Sequence, residues 1–470
     1  LGTTKGSRLA LAVAVASVVG LASCSGATPA PPTAAPAPTD TRAAPLPTNT
    51  AVAPLQSSAT PLPTAAITPP PTPTATIAPT LTPLPSPTPR PAPTATALPT
   101  PTNTAVPVPT ATRVPTPTVA SVPTSSSVPV VNVEIVAKGL VAPWALDFAP
   151  DGRIFITERP GRVRIVRNGS LEADPWITLP VAEVSEAGLL GLALDPQFAQ
   201  NRFVYVAYTY RAPDGRLQNR LVRLRDDPVT GKGVVDKVLI DGVRGGNNHD
   251  GGRVKFGPDG KLYWTMGESQ DPPLAQDQAL LSGKVLRLNS DGSIPPDNPF
   301  TGSYVYSYGH RNPQGLAWQP GTGRLYETEH GPSGEKGCCK DEVNFIEPGK
   351  NYGWPVIAGN ETREGMVSPI VHSGDTDTWA PSGAAFASKG PWSGSLLFVG
   401  LRGQSLFRLT LDRNDPRKVV TSERLFERRF GRLRDVVEGP DGALYILTSN
   451  RDGRGVPVPE DDRLLRVAVQ

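Results

Sequence analysis

Cysteine is scarce, with three residues in 470, and two of them are neighbours, Cys338 and Cys339, in "GEKGCCKDE". That excludes a disulfide framework and a cysteine metal cage, because no second pair exists to complete one. Adjacent cysteines bridge only through a strained eight-membered ring, so two free thiols and a vicinal disulfide both stay open. Charge of one sign is also missing: 46 basic against 43 acidic residues leave +3, which gives no footprint for nucleic acid. The apolar run "LALAVAVASVVGLASC" is too short to cross a bilayer comfortably. No long segment carries a convincing 3.6-residue apolar period, which argues against a helical fold.

What is present divides the chain unevenly. Residues 25–128 form a Pro/Thr/Ala tract that holds more than half of the 55 prolines and only four charges, Asp40, Arg42, Arg90 and Arg113. Such a tract cannot bury enough apolar surface to offset its ordering entropy, and it is expected to be a disordered, extended spacer. Residues 1–24 read as an export signal, with Lys5 and Arg8 ahead of the apolar run. The end of the run, Leu21-Ala22-Ser23-Cys24, resembles a bacterial lipobox, in which Cys24 would carry the lipid. An ordinary cleaved signal with an incidental cysteine is the alternative. Lipidation would hold the protein stably to the cell membrane, outside the cytoplasm, with the rest standing off on the spacer. Losing Lys5 and Arg8 would take the formal charge from +3 to +1.

Residues 129–470 contain all the aromatics and all four histidines. A unit repeats there: an apolar strand, a Pro-Asp-Gly-like turn, a second apolar strand, then a polar loop. It is seen in "LDFAPDGRIFITERPGRVRIV" from Leu146, "LALDPQFAQNRFVYVAYTY" from Leu192 and "VKFGPDGKLYWTMGE" from Val254. It recurs in "LAWQPGTGRLYETEHG" from Leu316, "AAFASKGPWSGSLLFVGL" from Ala384 and "VVEGPDGALYILTSN" from Val436. The spacing leaves room for four strands per unit. Six such units predict an all-β domain, a six-bladed β-propeller; a large β-sandwich would not explain one turn recurring so often.

In a propeller, loops at equivalent places in each repeat meet at one mouth of the channel. "NNHDGGR", "YGHRNPQG", "GLRGQSLFR" and "FGRLRDV" would therefore bring together His249, His310, Arg311, Asn312, Arg402, Arg432 and Arg434. Arg432 and Arg434 stand two apart on a strand and point the same way. Several guanidiniums facing one cavity repel unless an anion joins them, and the planar fork suits carboxylates. A ligand with more than one carboxylate is the physical inference.

These segments, with "GLVAPWALDFAPDGRIFITERPGRVRIV", "EAGLLGLALDPQF", "EHGPSG", "DEVNFIEPGKNYGWP" and "RLRDVVEGPDGALYILT", resemble the pyrroloquinoline quinone (PQQ)-dependent glucose/sorbosone and aldose sugar dehydrogenases across residues 131–469. The resemblance implies a six-bladed propeller that carries PQQ, a tricarboxylate, over the channel mouth with calcium beneath it. It implies oxidation of aldoses at the anomeric carbon to lactones, with hydride passing to PQQ and then electrons to an acceptor that the sequence does not identify. His249 matches the general base, and a histidine's ordinary pKa near 6.5 suits the task. Arg311 and Asn312 match the pair beside the quinone oxygens. Arg402, Arg432 and Arg434 match the cluster on the cofactor's carboxylates, although the first is lysine in the best-known members, and Thr378 fits the same set. Glu186 lies where the family places a residue close to the sugar; a solvated loop carboxylate is its other reading. Gly331 and Pro332 would offer backbone oxygens to the calcium, leaving His330 structural. Asp341, Glu342 and Tyr352 match a second, structural calcium segment, against an ordinary acidic loop.

Three departures bear on substrate choice. Asn248 stands where the glucose-oxidising members have aspartate, so a carboxylate that orients the imidazole must come from elsewhere. Trp379 is out of register with the family's sugar-covering tryptophan, and Cys338-Cys339 lies in an insertion. Two rival readings share the fold: a calcium-dependent lactonase, which needs carboxylates around a bare metal, and a non-catalytic surface binding module. Because no repeat strand begins before about residue 130, deleting residues 1–128 should leave a folded, soluble propeller with the thermal midpoint of the longer protein. A midpoint far lower would show that the tract packs on the propeller.

Overall fold

The computed structural model describes residues 130–334 and 337–470. The expected export signal, lipidation at Cys24 and Pro/Thr-rich spacer fall outside the described residues. Six antiparallel sheets follow one another along the chain, each built outward from one inner strand: Pro143–Phe148, Leu189–Leu194, Val254–Phe256, Pro313–Trp318, Pro381–Phe386 and Leu433–Glu438. Five sheets have four strands; in the first, two short pieces, Ser170–Leu171 and Ile177–Thr178, share the outer position beside Arg162–Arg167. This is the expected six-bladed β-propeller. The circle closes because Val131–Ala137 is the outermost strand of the last blade, paired antiparallel with Leu464–Val469.

Each blade turns one face to the blade before it and one to the blade after. The second strands are therefore buried on both faces, as in Ile154–Glu158, Leu262–Met266 and Leu325–Glu329, and their alternation separates two dry interfaces rather than core from water. The core is correspondingly divided into six clusters, one per seam. Phe155 and Val163 meet Val204 and Val222 between the first two blades, and Tyr326 and Val343 meet Ala384 and Phe398 between the fourth and fifth. Leu146 and Ile156 meet Leu447 and Leu464 where the ring closes. Hydrogen bonds reinforce three seams in the same register. Thr157, Thr265 and Thr328, each near the end of a second strand, donate to the next blade's inner-strand carbonyls of Leu190, Pro313 and Ser382 at 2.6, 2.7 and 2.6 Å.

At the axis the inner strands converge on Asp435, which is fully buried. Its Oδ2 accepts from Arg253 Nη1 at 2.9 Å and from the Leu146 amide at 3.2 Å. Arg253 in turn donates from Nε to Gln314 O at 2.8 Å and lies 4.3 Å above the Trp144 ring. One ion pair thus joins the first, third, fourth and sixth blades. Gly383 of the fifth comes so close that a Cβ there would stand 1.8 Å from Asp435 Oδ1, which is why the inner strand reads "PSGAAF". Removing one member of a buried pair strands the other's charge. Asp435→Ala should destabilise the propeller by about 3–5 kcal/mol in urea unfolding. The double variant Asp435→Ala/Arg253→Met should lose less than the sum of the two single changes.

Candidate active site

Where the inner strands begin and the second strands end, their loops line one cavity of about 780 Å3. Glu186, His249, Arg311, Ala380 and Arg432 enter just ahead of or at the start of inner strands; Arg159, His330 and Leu401 follow second strands. Antiparallel pairing puts both kinds of end on the same side of the propeller.

His249 stands in a glycine-rich loop because the loop is tightly folded against the neighbouring strand. Its own backbone is left-handed (φ 62°), and a Cβ on Gly267 would lie 2.0 Å from the His249 carbonyl. The imidazole Nδ1 is 2.9 and 3.1 Å from the two carboxylate oxygens of Glu268. Against an acceptor carboxylate Nδ1 carries the proton, which leaves Nε2 as the lone-pair nitrogen of a cavity-lining side chain. Glu268 therefore supplies the orienting carboxylate that Asn248 does not. Asp250 braces the loop from behind by accepting from Gly246 N and Asn219 Nδ2, and burial raises its pKa to about 7.

The arginines form the opposite feature. Arg434 is buried, donates to Gln314 Oε1 at 2.8 Å, and leaves Nε without a partner. Burial lowers its pKa to about 9; Asp452 and Glu186 pull the other way, against repulsion from Arg432 and Arg159. Arg432 pairs with Asp452 at 2.8 Å. Arg402 lines the cavity and is exposed. Arg311 reaches His330 O at 3.3 Å and lies 5.3 Å from the Trp354 ring. Among the described residues, six arginines line the cavity (159, 311, 402, 432, 434 and 454) with three carboxylates, Glu186, Asp341 and Asp452. Guanidiniums gathered at one cavity suit a multivalent anion.

Glu186 is held ionised: burial opposes this, but His330, Arg454 and His249 outweigh it and bring its pKa to about 2. It is no solvated loop residue. Asn312 stands just behind the cavity wall, accepting from Gly251 N at 3.1 Å, with its amide 3.4 Å from Glu186 and from His330. Gly331 and Pro332 line the cavity, as does Thr378, whose hydroxyl donates to Cys339 Sγ at 2.9 Å. Cys338 and Cys339 form a disulfide on the cavity wall. Trp379 packs instead against the stacked pair Phe398 and Phe407 in the core.

Two histidines exchange the places expected of them. His310 is fully buried behind the cavity, bonded to Ser307 and Glu329 and stacked on Tyr352, and burial lowers its pKa to about 3. His330 lines the cavity, with Nε2 lacking a partner. The side chains of the expected calcium segment diverge because neighbouring strand residues face opposite ways. Asp341 accepts from the amides of Gly331, Trp379 and Ala380. Tyr352 Oη donates to Phe345 O. Glu342 faces inward near Glu327, Glu329 and Asn344; burial raises all three glutamates, with repulsion inside the group adding to Glu327 and Glu342 and Glu268 adding to Glu329. Glu327 Oε1 and Asn344 Oδ1 have no partner, and His310, Glu327 and Glu329 place ligand atoms within 4.8 Å of one another. Hard oxygen donors with unspent lone pairs fit a divalent cation such as calcium.

Sequence reasoning missed Arg159, Glu268, Asp452 and Arg454. A signal existed for Glu268: "FITE", "WTMGE" and "YETE" each place a glutamate after the seam threonine. Asp452 and Arg454 lie beyond the repeated motif, in the loop between Leu444–Thr448 and Leu464–Val469.

The fold and site define a six-bladed propeller enzyme in which a carboxylate-oriented imidazole and an anion cradle share one cavity. The model of the glucose/sorbosone dehydrogenase family matches residues 140–465. The aldose sugar dehydrogenase YliI of Escherichia coli is 36% identical over 350 residues, 69% of this chain and 91% of its own. Quinoprotein glucose dehydrogenase B of Acinetobacter calcoaceticus is 32% identical over 413 residues, 67% of this chain and 84% of its own. The PQQ-bound aldose sugar dehydrogenase of Streptomyces coelicolor superposes with a TM-score of 0.65 at 37% identity, covering 72% of this chain and 98% of that one. The chain belongs to the glucose/sorbosone dehydrogenase family and is an oxidoreductase.

The glutamate cluster makes a thermal prediction. Millimolar calcium should raise the melting temperature over that in chelator, since an ion bound only by the folded state stabilises it. Glu327→Gln should melt no lower than the parent in chelator and should lose the calcium response.

Proposed function

We propose that this protein oxidises aldose sugars at the anomeric carbon to lactones, with PQQ as the bound hydride acceptor and His249 as the general base. The observation that carries this reading is the pairing, in one cavity, of the Glu268-oriented imidazole with a cluster of arginines in which buried Arg434 leaves Nε without a partner. Arg402, Arg432, Arg434 and Thr378 would hold the carboxylates of PQQ, and Arg311 and Asn312 its quinone end. The unpartnered Nε of Arg434 fits that assignment. When bound, PQQ supplies a two-electron, hydride-accepting quinone, which no side chain can offer.

The chain's own part is binding and proton transfer. His249 Nε2 takes the proton of the anomeric hydroxyl, and Glu268, held against Nδ1, stabilises the imidazolium that results. Glu186, ionised, accepts from a sugar hydroxyl beside the base. The guanidinium of Arg311 favours negative charge that develops near it. Gly331 and Pro332 would present carbonyl oxygens to a calcium ion under the cofactor. A lactonase with a bare catalytic metal fits less well, because the cavity's carboxylates are committed: Glu186 to Arg454, Asp452 to Arg432, Asp341 to three amides. Lipidation at Cys24 would place this chemistry on the outer face of the cell membrane, delivering electrons to an acceptor still to be found.

Apoprotein reconstituted with PQQ and calcium should gain aldose-dependent dye reduction. His249→Gln should keep PQQ bound while kcat falls by at least about 100-fold, the lower end for losing a general base. Arg434→Ala should instead weaken PQQ binding by about 2–5 kcal/mol, the range for stranding a buried charge partner. Single-turnover reduction of bound PQQ by sugar separates the two. Reduction by His249→Gln at the parent rate would remove His249 from the mechanism.

A further inference from the structure

We propose that Arg454 determines sugar specificity: from the last blade it reaches across the cavity mouth and, with Glu186 and Asn248, forms the edge that reads the substrate's hydroxyls. The inference rests on the dehydrogenase reading above.

Arg454 lies in the loop between Leu444–Thr448 and Leu464–Val469. Its Nη1 donates to Glu186 Oε1 at 2.6 Å, and its Nη2 donates to Ser185 Oγ and Asn248 Oδ1, both at 3.0 Å. One guanidinium thus ties the last blade to the loops that feed the second and third. The other oxygen of Glu186 stands 3.4 Å from the His249 amide and from Asn312 Nδ2. Because the fork is planar and rigid, it fixes both the plane of the Glu186 carboxylate and the residue next to the base.

Arg454 differs in depth from the two inner arginines, Arg432 and Arg434, and shares its exposure with Arg402. Arg432 and Arg434 are buried at 6% and 4% exposure, whereas the Arg454 side chain is 47% exposed yet still lines the cavity. An aldose is uncharged and presents neighbouring hydroxyls, each a donor and an acceptor. A carboxylate, a guanidinium and an amide held side by side match that pattern, accepting from one hydroxyl and donating to the next. No aromatic side chain lines the cavity among the described residues, so hydrogen bonds at this rim are left to discriminate.

The test compares PQQ-loaded parent, Arg454→Gln and Arg454→Lys on a set of epimeric hexoses. Arg454→Gln should raise KM roughly tenfold for the preferred sugar, the loss of one charge-assisted hydrogen bond, and should narrow the spread of kcat/KM among epimers. kcat and the absorbance titration with PQQ should change little. Arg454→Lys, which keeps the charge but not the fork, should fall between. In a Glu186→Gln background the Arg454 change should add little, since the two act as one unit. Unchanged KM and epimer selectivity, with only a lower melting temperature, would show that Arg454 merely ties loops and would overturn the proposal. Weakened PQQ binding would assign Arg454 to the cofactor cluster and equally overturn it. A parent that takes up PQQ but oxidises no aldose would instead bring down the dehydrogenase reading, and this inference with it.

Discussion

The Asp435–Arg253 pair is the constraint on which the rest of the propeller depends. A ring of blades has no single core; its six apolar seams each hold two neighbours, and none reaches across the axis. The buried ion pair does reach across, linking four blades through one carboxylate, one guanidinium and the backbone groups they satisfy. Burying two charges is expensive, and their value lies in geometry as much as in energy: a misaligned blade would leave a charge without its partner. Trp144 extends the arrangement upward, with Arg253 at 4.3 Å and Arg434 at 5.6 Å from its ring. The axis that aligns the blades therefore also supports the floor of the active site.

That floor carries a cost. Arg434 is buried among other arginines with a pKa drawn down to about 9, and the Glu327, Glu329 and Glu342 carboxylates crowd together behind His310. Arg432 is paired with Asp452, but Arg434 Nε in the first cluster and Glu327 Oε1 in the second have no partner. A tricarboxylate at the first and a divalent cation at the second would supply one, so that cofactor, metal and fold stabilise one another.

Much of this was legible before any coordinates. The turn that recurs from "FAPDG" to "EGPDG" predicted six blades, and the polar loops ahead of the repeats predicted which side chains would meet. His249, Arg311, Arg402, Arg432, Arg434, Thr378, Glu186, Gly331 and Pro332 do line one cavity. The histidine next to Arg311 was harder. His310 and His330 both sit in polar loops, and a step of one residue along the chain turns a side chain from the cavity into the wall. The opposite facing of Asp341 and Glu342 has the same cause. Glu268 was hidden in plain view, because its meaning depends on His249, nineteen residues earlier, folding back over Gly267.

By itself the sequence determined the repeat, the strand and turn chemistry and the residue types at the channel mouth, because these are local: a Pro-Asp-Gly turn or an apolar strand needs only its neighbours to form. Only the tertiary structure decided which charges are paired. Asp435 lies 182 residues from Arg253, and Glu186 lies 268 residues from Arg454, and in a closed ring such partners meet only after the last blade has been locked by the first strand. Pairing across the ring is a property of closure, and no local stretch of sequence encodes it.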